Sequence, residues 1–506
     1  MDYWDEVLGK DHVFLGRQTL YTSRTAEQID ANSIPDIING AMNRHIQNYR
    51  ETLYLKRYFR GWHPILERAK KVRPDINNRI PINNAFAIVR NGVGYFLGEP
   101  IQYNEKSTPN SAGVKRLNDF LDSEDKSSED MSVGNDGSIC GRGFRLIAAD
   151  KPEFEDEAPF ELPTLDSECT EVIYSTKAGH PPVLAFTHSP ILSDSGSVSG
   201  TEWTAYDSEN QYRYVVPGGF GAHLQRKHLA GEPVSHFLRD IPIVEYPNNE
   251  WRIGDFEIVL AILDAIDKLQ SDRVNSVEQI VSSILVFVGC HLRTKEEKNN
   301  GEPSDYEQLQ ETFTLEIPAD TNGQHADVKY VNSGVDQNEA ETLAQTLMAY
   351  VYSITGIPDR KDRAGGGGDT GDAVYLRDGY QSLEIVARVK ERNFRKAERR
   401  LLRMICEIIR RFNGINLRPM DIDVKFIRNR TTDLLNKSQA FANLMGTKQI
   451  APTDGISLIG VTNDPQGMAK RGQYYWSGPG AQQNDTATEG NDDDTGTESN
   501  QEPAVG

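Results

Sequence analysis

An α+β fold is what this sequence predicts, and three observations carry that expectation. Between about residues 101 and 250, short alternating runs are separated by Gly, Pro, Ser and Asp clusters, which is the pattern of half-buried strands. At Asn248-Asn249-Glu250 the pattern switches, and from Gly254 or Asp255 apolar residues recur at helical spacing. Farther on, residues 373–413 read as one long helix, about 60 Å if straight at 1.5 Å per residue.

Taken in order, residues 1–30 are mixed and polar and read as a flexible arm. A helical region follows, with Ile46, Leu53, Tyr54 and Tyr58 at approximate helical spacing. Pro81 suits the first turn of a helix whose apolar face is Ile82, Ala85, Phe86, Val89, Val93, Phe96 and Leu97, with Gly98 and Pro100 as the stop. Strands are expected at 144–148, 171–174, 183–186 and 212–216, and surface loops at 122–137 and 192–202. The next helix carries Phe256, Val259, Leu260, Leu263, Ile266 and Leu269 as one stripe, and the pattern extends through Val274, Val277, Val281 and Ile284. Asp264, Asp267, Lys268 and Asp272 lie off that stripe.

Short strand candidates at 283–288, 313–317 and 328–331 surround a polar loop at 295–305. Asp336-Gln337-Asn338-Glu339 has capping-box spacing and opens a helix with Ala340, Leu343, Ala344, Leu347, Met348 and Val351 on one face, ended by Gly356 and Pro358. Residues 359–372 hold three basic residues and four consecutive glycines. In the long helix that follows, Phe394, Ala397, Leu401, Ile405, Ile408 and Phe412 share a face, Gly379 is a bend position, and Asn413-Gly414 closes it. A strand at 421–427 and further helices through Leu434, Leu435, Ala440, Phe441, Leu444 and Met445 complete the folded part. The last thirty residues, 477–506, hold seven acids and no Lys or Arg, the composition of a disordered acidic tail.

The 506 residues carry 55 Lys and Arg against 75 Asp and Glu, a net charge of −20. Coating or wrapping nucleic acid rests on cations that neutralise phosphates, so that class is excluded, as is docking on anionic membranes. An acidic surface that lets DNA pass without gripping it remains compatible. The four cysteines are scattered, with no CxxC pair, which fits a reducing compartment and no zinc ribbon. The start lacks the basic and apolar regions of a signal peptide. The longest apolar stretches, 258–266 and 280–288, fall far short of the roughly 20 residues of a membrane span.

Tests for chemistry come back empty. Gly366 and Gly371 have phosphate-loop separation, but Asp372 and Ala373 stand where Lys and Ser/Thr belong, and an Asp there repels phosphate. Gly92, Gly94 and Gly98 approach a dinucleotide fingerprint with one residue too many, inside a helix and not between strand and helix. Asp421 and Asp423 share a strand face, and two carboxylates alone make a weak metal site. His223 and His228 are isolated, and no nucleophile elbow appears. Catalytic residues, metal and cofactor are therefore all expected to be none. Residues 377–412 hold eleven basic and five acidic residues, a helix that binds nucleic acid or pairs with acidic neighbours.

Three stretches carry a resemblance. They are Ile80-Pro81-Ile82-Asn83-Asn84 through Ile101; Ile241 through Glu250 with Gly254-Asp255-Phe256-Glu257 and Asp264 through Asp272; and Thr355-Gly356-Ile357-Pro358-Asp359 with the Gly-rich loop and long helix after it. In this order, over about residues 40–450, the chain resembles the portal proteins of tailed bacteriophages, SPP1 type.

The resemblance implies a ring of about twelve copies around a channel at one capsid vertex. It implies a wing at 31–253, stem helices at 254–275 and 336–356, and a clip at 276–335. It also implies a tunnel loop at 357–372, a wing spine helix at 373–413 and a crown at 414–476. The tunnel loop would contact DNA through Arg360, Lys361, Arg363, Gly365, Gly366, Gly367, Gly368 and Thr370. Lys295, Glu296, Glu297 and Lys298 would present a docking region on the clip. The implied partners are the terminase large subunit, a head-completion adaptor protein, major capsid and scaffolding proteins, and double-stranded DNA in passage, with no membrane. The implied location is the virion's portal vertex, and the host cytoplasm during assembly. ATP hydrolysis would belong to the terminase, which accounts for the missing phosphate loop. Two other readings stay open: a nucleic-acid processing enzyme using Asp421 and Asp423 at a metal site, and a capsid or adaptor protein without DNA passage.

Overall fold

A computed structural model describes residues 8, 12–71, 73–106, 112–152, 154, 157–281, 284–288, 292–297, 303–312, 327–331, 337–358, 380–428, 434–446, 450–459 and 465–477. In chain order the first elements are β1 (Leu20–Thr22), α1 (Ser33–Phe59), α2 (Asn84–Leu97), β2 (Gln102–Glu105), α3 (Ala112–Ser123) and α4 (Lys126–Cys140). Ten strands follow: β3 (Arg142–Leu146), β4 (Ala148–Ala149), β5 (Phe160–Glu161), β6 (Thr164–Leu165), β7 (Thr170–Ser175), β8 (Pro182–Leu192), β9 (Val198–Tyr206), β10 (Asn210–Pro217), β11 (Val234–Ser235) and β12 (Ile243–Pro247). The second half holds α5 (Leu260–Val281), β13 (Ile284–Val288), α6 (Asp305–Thr312), β14 (Asp327–Val331), α7 (Gln337–Thr355), α8 (Tyr380–Asn413), β15 (Ile422–Lys425), α9 (Leu434–Gly446), α10 (Pro452–Ile459) and α11 (Pro465–Ser477).

The chain divides into two compact units. The larger, built from 14–53, 89–255 and 356–506, is layered. Its main sheet has the order β1-β7-β8-β9-β10-β11, antiparallel except for the parallel β1–β7 pair. Strand alternation sends Leu184 and Phe186 to one face and Ala185 to the other. On the first face Ile34, Ile37, Ile38 and Ala41 of α1 meet Ile173, Leu184, Phe186, Trp203 and Tyr214. On the second, Val172, Ala185 and Tyr206 meet Phe144 and Ile243 of a smaller sheet, β12-β3-β6, and Ile241 just before it. The far side of that sheet, through Val244 and Tyr246, joins the largest cluster, which Phe394, Ala397, Leu401, Ile405 and Ile408 of α8 fill together with α3 and the end of α2. The stripe foreseen on α8 is buried as far as Ile408, whereas Phe412 is exposed.

Two expected loops are ordered structure instead. Residues 122–137 contain most of α4, whose buried face is polar as well as apolar: Lys126, Asp130, Val133, Ser138 and Cys140. A helix that buries charge shows little apolar periodicity, so pattern reading sees a loop. Its charges are paired: Lys126 Nζ with Asp130 at 2.8 Å and Glu398 at 3.2 Å, and Arg145 with Asp130 at 2.7 Å. Gly141, at φ +83°, ends the helix where a Cβ would lie 1.9 Å from the Arg252 carbonyl oxygen. Likewise, most of 192–202 belongs to the β8–β9 hairpin, with Leu192 paired to Val198.

The smaller unit comprises 1–13, 54–88 and 256–355. Its frame is α5 and α7, with the β13–β14 ribbon between them in sequence, paired antiparallel from Ile284↔Val331 to Val288↔Asp327. Ala340, Ala344 and Val351 are the buried residues of α7, and the two alanines allow close helix approach. Among the described residues no helix is long and apolar enough to cross a membrane.

Candidate functional site: the helical hairpin and its connecting segment

Helix α5 begins on aromatic stacking. Phe256 lies 5.8 Å from Tyr58, which stacks at 4.0 Å on His63. Phe256, Val259, Leu260, Leu263 and Ile266 are buried as their spacing requires. The continuation differs from expectation, because Val274 and Val277 are exposed.

A polar stripe takes over the buried face. Asp267, Ser271 and Asn275, four residues apart, accept main-chain N–H groups from Ile82 (2.8 Å), Ile80 (3.0 Å) and Asn78 (2.7 Å). Those donors are two residues apart in an extended segment that runs antiparallel to the helix. The register holds because four helical residues advance about 6.0 Å and two extended residues about 6.6 Å. Pro81 has no N–H to offer and falls between two donors. Asp267 also accepts from His63 Nδ1 at 2.5 Å, both side chains being buried. Tyr58 donates to Asp264 at 2.9 Å, and Arg68 pairs with Asp272 at 2.8 Å.

Asp267, expected away from the core, is thus the hub that straps 76–82 to α5. The strap also moves the start of α2. Pro81, expected in the first turn, lies before the helix: Asn83 caps it, accepting the Phe86 N–H at 3.0 Å, and the helix begins at Asn84.

Between the two long helices, Arg273 of α5 reaches Glu341 of α7 at 2.5 Å and Gln337 at 3.2 Å. The outward residues of α7 include Thr342, Gln345, Thr346, Ala349 and Ser353, and the helix has no Lys or Arg anywhere. Gly356, at φ +74°, follows its last turn as a left-handed cap.

The connecting segment holds a helix that sequence reading missed. Ser304 Oγ accepts the Glu307 N–H at 3.2 Å and Glu307 accepts the Ser304 N–H at 3.1 Å, a reciprocal capping box opening α6. That Ser-x-x-Glu spacing was the signal available in the sequence. Arg293 donates main-chain N–H to Asp305 at 2.8 Å and pairs with it through Nε at 3.3 Å. Of the candidate docking residues, Lys295 pairs with Glu307 at 2.5 Å, Glu297 accepts the Thr294 N–H at 2.8 Å, and Glu296 is exposed. The Lys295 hydrogen bond, followed by the Ser304 N–H, holds the Glu307 carboxyl below its ordinary range.

Lys298 lies outside the described residues. So do Arg360, Lys361, Arg363, Gly365, Gly366, Gly367, Gly368 and Thr370, the cap Asp336, the strand candidate 313–317, the bend position Gly379 and the acidic tail beyond 477.

Asp421 pairs with Arg418 at 2.6 Å and Asp423 sits opposite Asn104 in the β15–β2 ladder. Among the described residues no group of three His, Cys, Asp or Glu side chains is arranged to hold a metal. His223 lies beside the Asn39 amide, and His228 accepts the Gln225 N–H.

A buried constellation in the larger unit was invisible in the sequence. His45 Nδ1 bonds Glu171 at 3.2 Å, its Nε2 meets His188 Nε2 at 3.0 Å, and Arg142 grips Glu171 with two 2.6 Å bonds. Burial alone would raise the Glu171 carboxyl, but Arg142 and His45 outweigh it and hold it at about 2. These residues brace α1 against the sheet.

A family model described as phage portal protein, SPP1 Gp6-like, matches residues 41–475, and the chain belongs to that family. It is a portal protein, a structural component of the virion's head–tail connector. No match is found among curated proteins.

Solved structures similar to it come from gene transfer agent (GTA) particles. The neck of an empty GTA particle computed with C6 symmetry is 13% identical over 81% of this chain and 94% of that one, with a TM-score of 0.40. The virion of the native particle gives 11%, 81%, 94% and 0.39, and the native neck computed with C12 symmetry gives 12%, 75%, 91% and 0.38. The assignment rests on the family match alone.

Proposed function

We propose that this chain assembles into a ring of about twelve copies whose channel carries double-stranded DNA into the capsid during packaging, holds it, and releases it at ejection. The terminase large subunit and later a head-completion adaptor dock on the 276–335 segment, with Lys295, Glu296, Glu297 and Lys298 in the docking region. Capsid and scaffolding proteins meet the wing at 31–253.

The observation that carries this reading is the α5–α7 hairpin. Its second helix has no cation and exposes Thr342, Gln345, Thr346 and Ser353 beside Leu343, Tyr350 and Ile354, a face without positive charge past which phosphates slide. Short-lived contacts fall to the 357–372 loop, where Arg360, Lys361 and Arg363 stand beside Gly365, Gly366, Gly367, Gly368 and Thr370. Motor chemistry lies outside the chain.

Two measurements test the proposal. Negative-stain images of the purified protein give rings with an axial hole, and a monomer under assembly conditions refutes the reading. Lys361→Ala with Arg363→Ala leaves ring assembly intact and impairs packaging or retention. Heads of normal genome length and stability remove those residues from the mechanism.

A further inference from the structure

Two oppositely charged surfaces of the larger unit are exposed among the described residues. On α8, Arg392, Lys396, Arg399 and Arg403 are exposed at i, i+4, i+7 and i+11, one face of the helix about 16 Å long. None of the four forms an ion pair among the described residues. Neighbouring cations of the same helix are committed: Arg388 to Glu384, Lys390 to Asp255, Arg395 to Glu391 and Arg400 to Asp240.

The second surface gathers Asp119 and Asp122 of α3, Glu124 in the turn after it, and Asp150, Glu157 and Glu161 around the β4–β5 pair. All but the half-buried Glu124 are exposed. The same segments carry Lys115, Arg116 and Lys151, so the patch is a net anionic surface. Its carboxylates crowd one another: burial first, then Glu161 and, more weakly, Asp150 and Glu157, raise the Glu124 carboxyl, and burial followed by Asp119 raises that of Asp122. A cationic partner relieves such crowding.

Helices α3 and α8 turn their apolar faces into the same cluster, through Leu117, Phe120 and Leu121 on one side and Leu401, Leu402 and Ile405 on the other. Their charged faces therefore open outward, away from that shared core.

We propose that the α8 ridge of one copy docks on the acidic patch of the next copy. The contact joins two different surfaces of one chain, so it is heterologous, the kind that propagates head to tail and closes as a ring. The inference rests on the ring reading above and names the surfaces that build it. Charge of this kind steers association and fixes register, and it weakens with salt.

The test uses the full chain and charge reversal. Lys396→Glu with Arg399→Glu, and separately Asp122→Lys with Glu161→Lys, each raise the protein concentration for half-assembly about tenfold or more, read by mass photometry near physiological salt. The four substitutions together restore assembly, which a folding defect would not. If the unmodified chain forms no ring, the portal reading itself fails and takes this one with it. If it forms rings and both reversals form them equally well, the docking is overturned while the portal reading stands. Rings of normal strength whose heads lose DNA when the ridge is reversed assign the ridge to nucleic acid and likewise overturn the docking. Should a reversed chain lose its thermal transition, Lys396→Gln with Arg399→Gln replaces it. Assembly of that variant is weaker and less salt-dependent, and an unchanged salt dependence overturns the docking.

Discussion

Replacing Asp267 by alanine removes the acceptor for two buried donors at once, the Ile82 N–H at 2.8 Å and His63 Nδ1 at 2.5 Å. Each buried donor left unpaired costs about 1–3 kcal/mol, so the pair costs roughly 2–6 kcal/mol. The loss is local, because the strap 76–82 keeps its bonds to Ser271 and Asn275. Amide exchange over the strap reads it directly. Two kcal/mol is about a thirtyfold loss of protection at Ile82, spreading to Ile80 if the strap opens as one piece. Asp267→Asn keeps an acceptor for Ile82, and His63 can change tautomer to accept from the new amide, so about half of the loss returns. Unchanged protection of Ile80 and Ile82 in the alanine variant refutes the strap as what fixes this segment to α5.

Acid weakens the larger unit through His188. Burial, and then the neighbouring His45, push its imidazole from 6.5 down to about 3, with Glu171 opposing. The unfolded chain therefore binds the extra proton first: stability is full above pH 6.5, falls as pH drops, and levels off near pH 3. Urea midpoints across that range fall with pH, and in His188→Gln they fall less; identical slopes reject the assignment. Gly141→Ala places a methyl carbon 1.9 Å from the Arg252 carbonyl oxygen in a left-handed conformation, at a cost of about 3 kcal/mol or more. Its melting temperature drops by many degrees, and a drop of only a degree or two means that the turn at 249–253 moves aside without resistance. Glu398→Ala leaves Lys126 and Arg145 buried without that carboxylate, and Tyr103 and Tyr246 without their acceptor, a loss of about 3–5 kcal/mol in thermal or urea unfolding. A near-neutral result shows that water enters the network.

What was legible in the sequence is what repeats. The runs at 171–174, 183–186 and 212–216 fall within β7, β8 and β10, and α5, α7 and α8 carry apolar stripes, so their kinds and approximate places follow from the apolar pattern. Polar burial has no period. Helix α4 was hidden because Lys126 and Asp130 stand where apolar residues were sought, and their partners Arg145 and Glu398 lie far along the chain. Asp267 was set off the apolar stripe for the same reason. His45 and His188 are 143 residues apart, so nothing local announces their contact. Helix α6 was legible in principle through Ser304 and Glu307, but eight residues with only Tyr306 and Leu309 as apolar side chains gave no stripe to look for. Of the candidate site, the hairpin and Lys295, Glu296 and Glu297 find a described place, and the glycine-rich loop does not.

Net charge is a poor descriptor of how such a chain meets DNA or itself. The total of −20 includes seven acids beyond residue 477. The eleven cations of 377–412 look like a nucleic-acid helix until their partners are identified. Glu384, Glu391 and Glu407 take up Arg388, Arg395, Arg410 and Arg411 along the helix itself, and Asp240 and Asp255 take up Arg400 and Lys390 from outside it. Six of the eleven cations are thus committed within the unit, four along the helix itself and two to elements outside it. Arg377 lies outside the described residues, and Arg392, Lys396, Arg399 and Arg403 are what remains among the described ones, on one face and in one line. A helix that bound DNA by bulk charge would gain from every cation it carries. This one commits most of them internally and keeps a short ordered row, which is the arrangement that fixes a register against a defined acidic surface.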